Sequence, residues 1–202
     1  MARPVGTPDD VLLDAADRVL MTQGPSGFTL AKAATSAGVS AATFVKRFGS
    51  KEQLFLRLSQ RWAGSLDGEL GEAARGVDSP LQRLRVVALY NYHDLDSPLT
   101  ASKQLAALAI DLQNDEMRGL LHVGWGHVRR HLERHAAAAA AAGELAGAPP
   151  PAQLARIVMA AMEGGCLAWS VHPDGSLIRR LAADLDALLS GWATPKEKIH
   201  GR

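Results

Sequence analysis

Leu54, Leu58, Trp62, Leu66 and Leu70 recur every fourth residue along a stretch that contains no proline. Of the regular backbone forms only the α-helix places residues at that interval on one side, since a turn takes 3.6 residues. The same spacing recurs elsewhere. Val11, Leu12, Ala15, Ala16, Val19 and Leu20 mark a helix opened by Pro8, Asp9 and Asp10 and stopped by "QGPSG" (23–27). Thr29 can cap "LAKAATSA", Ser40 can cap "AATFVKRF", and Ser50 can cap the long leucine-striped helix that "RGVDSP" (75–80) ends. Further helical patterns run over 81–94, 98–112, 115–146, 150–171 and 176–192. No segment combines alternation with β-branched residues, and aromatic residues make up only 5% of the chain. The expected fold class is all-α.

The charge is unevenly placed. The net charge is +1, yet Phe28 to Arg61 holds six Lys or Arg against one acid, Glu52. A basic patch on a nearly neutral chain marks one anion-facing surface and leaves the remainder for another task. Cys166 is the single cysteine, so an intrachain disulfide is excluded and the residue reads as small packing beside Gly165. "MARPVGTPDD" has no apolar core of a secretory signal, and no run of eighteen apolar residues appears. A soluble, cytoplasmic protein without membrane contact is expected.

Residues 29–48 compress helix, tight turn and helix into twenty positions. Ala34 is small where two helices must approach, and Gly38 tolerates a positive φ at the turn. Leu30, Ala33, Val39, Phe44 and Phe48 can pin the second helix to the first. Small and hydroxylated residues then face outward, and bases flank them, as a helix entering a DNA groove requires. The expected DNA-binding residues are Thr29, Ser40, Ala41, Ala42, Thr43, Lys46, Arg47 and Lys51, with Lys46, Arg47 and Lys51 directed at phosphates and Ser50–Lys51 starting a helix whose N–H groups can hold another.

"FTLAKAATSAGVSAATFVKRFGSKEQLF" (28–55) resembles the N-terminal DNA-binding signature of the tetracycline-repressor (TetR) family of bacterial regulators. The resemblance covers residues 8 to about 60. It departs from the family pattern at Val45 and Arg47, where tyrosines are common, at Ala41 and Ala42, where a base and a glycine are common, and at Gly49, which replaces a proline. The resemblance implies an N-terminal three-helix, helix-turn-helix DNA-binding domain, 1–60, and a helical ligand-binding and dimerisation domain, 61–202. It also implies a homodimer on a double-stranded, palindromic DNA operator, acting as a repressor released by a small-molecule effector.

The rest of the chain offers residues for both of those tasks. The small-residue stripe of helix 150–171 and the leucine face of helix 176–192 suggest a dimer interface of Ala161, Gly164, Gly165, Ala168, Leu181, Leu185, Leu188 and Trp192. In TetR-like proteins the last two helices pair with their twofold mates. Apolar and aromatic walls with a few polar groups, as a ligand pocket requires, are supplied by Trp62, Tyr92, His93, Leu108, Asp111, Leu121, His122, Trp125 and Trp169. Trp62 sits on the long helix that leaves the DNA-binding part, where it can feel a ligand. His127, His131 and His135 have the i, i+4, i+8 spacing of metal-sharing imidazoles, which leaves a metal-sensing or helical interaction protein as the alternative. Arg129, Arg130 and Arg134 crowd the same segment and favour a solvated basic face with no metal. No paired-carboxylate motif, nucleophile elbow or phosphate-binding glycine pattern is present, so neither an enzyme nor a cofactor is expected.

Overall fold

Hydroxyl side chains start the helices. In the computed structural model, which describes residues 7–194, Thr29 accepts from the Lys32 N–H at 3.2 Å and Ser40 from the Thr43 N–H at 3.2 Å. Ser50 accepts from the Gln53 N–H at 3.1 Å, while the Gln53 side chain accepts from the Ser50 N–H at 3.3 Å. That reciprocal pair is a capping box, satisfying donors a helix start would otherwise leave bare. Ser79 and Ser176 cap two later helices in the same way.

Among the described residues the helices are α1 (Asp9–Gly27), α2 (Leu30–Ser36), α3 (Ala41–Phe48), α4 (Lys51–Ala73), α5 (Pro80–Leu89), α6 (Pro98–Gln113), α7 (Asp115–Ala141), α8 (Pro151–Val171) and α9 (Leu177–Ser190). A 3₁₀ segment, Tyr90–Leu95, follows α5. The extended pairing present is an isolated bridge between Leu145 and Ala193. α1 is interrupted at Gly24, whose φ of 69° and ψ of 171° admit the turn that "QGPSG" signalled.

Three expected boundaries move. The helix expected over 81–94 is α-helical only to Leu89. Beyond it the tighter coil buries Tyr92 and Leu95, three residues apart, on one side. The helix expected over 115–146 ends at Ala141 because Glu144 is needed elsewhere. Its carboxylate accepts from the Ser79 hydroxyl at 2.9 Å and the Leu81 N–H at 2.7 Å, sealing the start of α5. Residues beyond α9 leave the helix to pair with that same turn, through Ala146 N–H to the Trp192 carbonyl at 2.7 Å.

The chain divides into two compact units. One runs to Gly64 and takes in Leu99–Val123; the other comprises Ser65–Pro98 and the chain from Gly124 onward. A single cut after residue 60 leaves 99–123 with the second part, whereas Met117 packs in the first core. That core joins Leu12, Ala16, Phe28, Phe44, Leu54 and Met117, each at most 2% exposed. In the second unit Leu66, Leu70, Leu84, Leu154, Val158, Leu177, Leu181, Leu185 and Leu189 are buried.

Candidate functional site

α3 is held from behind. Phe44 and Phe48 are buried with ring centroids 5.3 Å apart, and Ala33 and Ala34 of α2 are buried beneath them. Leu30 and Val39 pack partly buried against the same cluster. Gly38 makes the turn with φ 68°, and the Val39 N–H reaches the Ala34 carbonyl at 3.0 Å. With its aromatic side so occupied, α3 presents the opposite side to solvent. Ser40, Ala41, Ala42, Lys46 and Arg47 are exposed and Thr43 is half-buried. The Ser40 and Thr43 hydroxyls lie 2.9 Å apart and hydrogen-bond each other. Thr29 is exposed at the start of α2.

The three bases expected at phosphates do not behave alike. Lys46 has no hydrogen bond or ion pair among the described residues. Arg47 folds back onto α1 to form an ion pair with Asp9, and also donates to the Thr7 carbonyl at 3.3 Å. Lys51 donates to the Pro25 carbonyl at 2.5 Å and lies over the Phe28 and Phe55 rings at 6.0 and 5.5 Å. Lys32 similarly reaches the Gly27 carbonyl at 2.7 Å. The kink at Gly24 explains this: it leaves carbonyls of the last turn of α1 without helical partners, and two lysines satisfy them. The expectation of phosphate contacts from Arg47 and Lys51 therefore meets side chains already engaged within the unit.

The second unit contains a small, partly open cavity of about 20 Å³, bordered by Tyr92, Trp125, Val158, Met159, Met162 and Glu163. Of the expected pocket residues, Tyr92 and Trp125 line it. Trp169 is buried without reaching it, and its indole N–H has no partner among the described residues. His93 is exposed. Trp62, Leu108, Asp111, Leu121 and His122 belong to the first unit, where burial pushes the Asp111 carboxyl up to about 6. Glu163 was missed in the sequence because a lone acid in an alanine-rich helix reads as solvent-facing. Burial raises its carboxyl above the ordinary range, opposed by a hydrogen bond donated by Tyr92.

The histidines depart from expectation as well. His131 and His135 are only 3% and 8% exposed, so they do not form a solvated basic face. His131 Nε2 donates to Asp67 Oδ1 at 3.0 Å, and His127 Nδ1 lies 3.2 Å from that oxygen and 2.6 Å from the Arg130 guanidinium. The His135 ring stands 6.2 Å from that of His131, with burial foremost pulling its pKa down to about 4 and Arg134, His131 and Arg83 adding to the fall. No group of three His, Cys, Asp or Glu suited to a metal occurs among the described residues.

The expected dimer residues also separate into two groups. Leu181 and Leu185 are fully buried within this chain, so they fasten α9 to its own core. A Cβ on Gly165 would lie 2.6 Å from Leu181 Cδ2, which shows that this glycine serves the α8–α9 crossing. Gly164 and Ala168 are exposed beside Leu167 (53%) and Val171 (80%), while Ala161, Leu188 and Trp192 are half-buried. α8 is long and apolar enough to cross a membrane by length and composition. It has that composition because two of its sides are apolar: Leu154, Val158, Met162 and Cys166 turn inward and Gly164, Leu167, Ala168 and Val171 outward.

A capped helix with a small outward face, braced on a three-helix core and followed by further helices, defines an all-α helix-turn-helix protein. The chain is similar to the TetR family: its residues 12–58 match the family described as "Bacterial regulatory proteins, tetR family". It is 31% identical over 122 residues to the HTH-type transcriptional regulator BetI of Rhizobium meliloti (strain 1021), an alignment spanning 60% of this chain and 60% of that relative. Its fold matches that of Escherichia coli NemR in the reduced form, with a TM-score of 0.72, 18% identity and coverage of 92% of this chain and 98% of that one. It also matches SmeT, the repressor of the Stenotrophomonas maltophilia multidrug efflux pump SmeDEF, with a TM-score of 0.67, 22% identity and coverage of 97% and 95%.

Proposed function

We propose that the protein is a dimeric transcriptional regulator that reads a palindromic DNA operator with α3 and releases it when the second unit binds a small molecule. The observation that carries this reading is the outward side of α3, where Ser40, Ala41 and Ala42 are exposed while Phe44 and Phe48 are buried on the opposite side. Small side chains let the backbone approach base edges, and Ser40 and Thr43 can hydrogen-bond there or at phosphates. Lys46 is the unengaged base for the flanking backbone; Arg47 joins it by exchanging Asp9 for phosphate. The family match over residues 12–58 and the repressor named among the structural neighbours support the same reading. Domain limits of 1–60 and 61–202 describe the division of labour.

One reading helix covers too few base pairs to be specific, so two copies on half-sites about one turn apart are required. The outward side of α8, with Gly164, Leu167, Ala168 and Val171, is the proposed surface for the second copy, with Leu188 and Trp192 at its edge. The test is selection of bound sequences from a random duplex pool. A palindromic winner with half-sites a helical turn apart is expected. A winner without twofold symmetry, or equal affinity for all duplexes, would overturn the proposal.

A further inference from the structure

We propose that the cavity of the second unit is a site for a small apolar amine whose ammonium group binds Glu163. This deepens the effector reading above and rests on it for the link to DNA release. Glu163 is the one acid on the cavity wall, and no basic side chain lines that wall among the described residues. The other ionisable groups facing it, the Tyr92 phenol and the Cys166 thiol, become charged only as anions. A half-buried carboxylate is stabilised by a hydrogen-bonded cation, and among the described residues the chain gives Glu163 only the Tyr92 hydroxyl. An ammonium group can take that hydroxyl's place on the carboxylate, with the aromatic side chains of Tyr92 and Trp125 on the same wall. An anionic ligand would meet Glu163 with nothing to offset the repulsion.

The cavity as it stands, about 20 Å³, has room for roughly one water. An amine must therefore widen it. Met159 and Met162 on its wall are unbranched and flexible, the side chains best able to move aside without disturbing the helices.

Calorimetric titration of the full chain with n-hexylamine, n-hexanol and sodium hexanoate separates charge from shape, because the three share one alkyl tail. The amine should bind at least tenfold more tightly than the alcohol, and hexanoate should not bind. Glu163→Gln should remove the amine's advantage while leaving the alcohol's affinity in place. Should that variant misfold, Tyr92→Phe gives an independent arm: the carboxylate is kept, so the amine preference should persist or grow. Alcohol or hexanoate binding as well as the amine, an amine preference surviving Glu163→Gln, its loss in folded Tyr92→Phe, or no binding of the amine would each overturn the inference. The selected operator duplex, added to the same samples, keeps the two readings apart. Amine bound through Glu163 with DNA retained upholds the site and removes the effector reading. Release of DNA by hexanoate does the reverse.

Discussion

α3 and α8 are both built on small residues and use them to opposite ends. In α3, Ala41 and Ala42 are exposed and leave a low surface for something else to approach. In α8, Gly165 is closed upon by Leu181, while one residue earlier Gly164 has nothing within 4 Å of the place a Cβ would take. A small residue in a helix therefore has no fixed meaning. Its role follows from what stands opposite.

The sharpest way to break this comparison is to add bulk on each helix. Ala42→Glu should leave the melting temperature nearly unchanged, since exposed substitutions away from core contacts shift stability by about 0.5 kcal/mol or less. It should reduce affinity for the selected operator by about a hundredfold or more, roughly 3 kcal/mol, through steric exclusion and repulsion of phosphate. Retained operator binding would remove α3 as the reading head.

Gly165→Leu should do the contrary. Overpacking at Leu181 is expected to destabilise the protein by about 2 kcal/mol, read by urea denaturation. A neutral result would mean that the α8–α9 crossing yields more easily than the 2.6 Å approach implies.

Acid should act on His135 and Asp111 with opposite sign. His135 is held down to about 4 in the folded state, so the unfolded chain takes up its proton first, near 6.5. Its contribution is intact above that pH and is lost as pH falls from about 6.5 towards 4. Asp111 in the first unit runs the other way: raised to about 6, it binds a proton in the folded state first, so its effect on stability becomes more favourable as pH falls through 6. Amide exchange, corrected for intrinsic rates, should show the part of α7 around His135 losing protection between pH 7 and 4.5 before α2 and α3 do. Uniform loss in both units would contradict the assignment.

The smallest effect concerns the bases. Lys46→Ala should lower the salt dependence of DNA binding by about one phosphate contact. Lys51→Ala should leave that slope close to its original value and weaken binding only by loosening the corner at Pro25. Equal changes in slope would place both amines on the DNA backbone.

The all-α class, the caps at Thr29, Ser40 and Ser50, and the buried side of α3 were legible because each depends on residues within a turn or two of one another. The helix end at Ala141 was not, since Glu144 leaves the helix to cap α5, a partner more than sixty residues away in sequence. The same limit applies to the site. Sequence showed that Lys46, Arg47 and Lys51 cluster, but not that the kink at Gly24 offers carbonyls to one of them and Asp9 an ion pair to another. Periodicity found the leucines of α9 yet could not tell an inward side from an intermolecular one, because both are apolar. Glu163 and the histidines of α7 show how little composition says about burial when a neighbouring helix supplies the cover.

The lysine seated on the Pro25 carbonyl gives the first unit a built-in chemical gauge. An amine that donates to a backbone carbonyl and rests against two phenyl rings is a poorer nucleophile towards acylating reagents than an amine in open solvent such as Lys46. The ratio of labelling at residues 51 and 46 thus reports whether the corner between α1 and α4 is assembled, with no DNA present. A variant that has lost operator binding can be sorted by that ratio alone into one whose reading surface is altered and one whose scaffold has come apart.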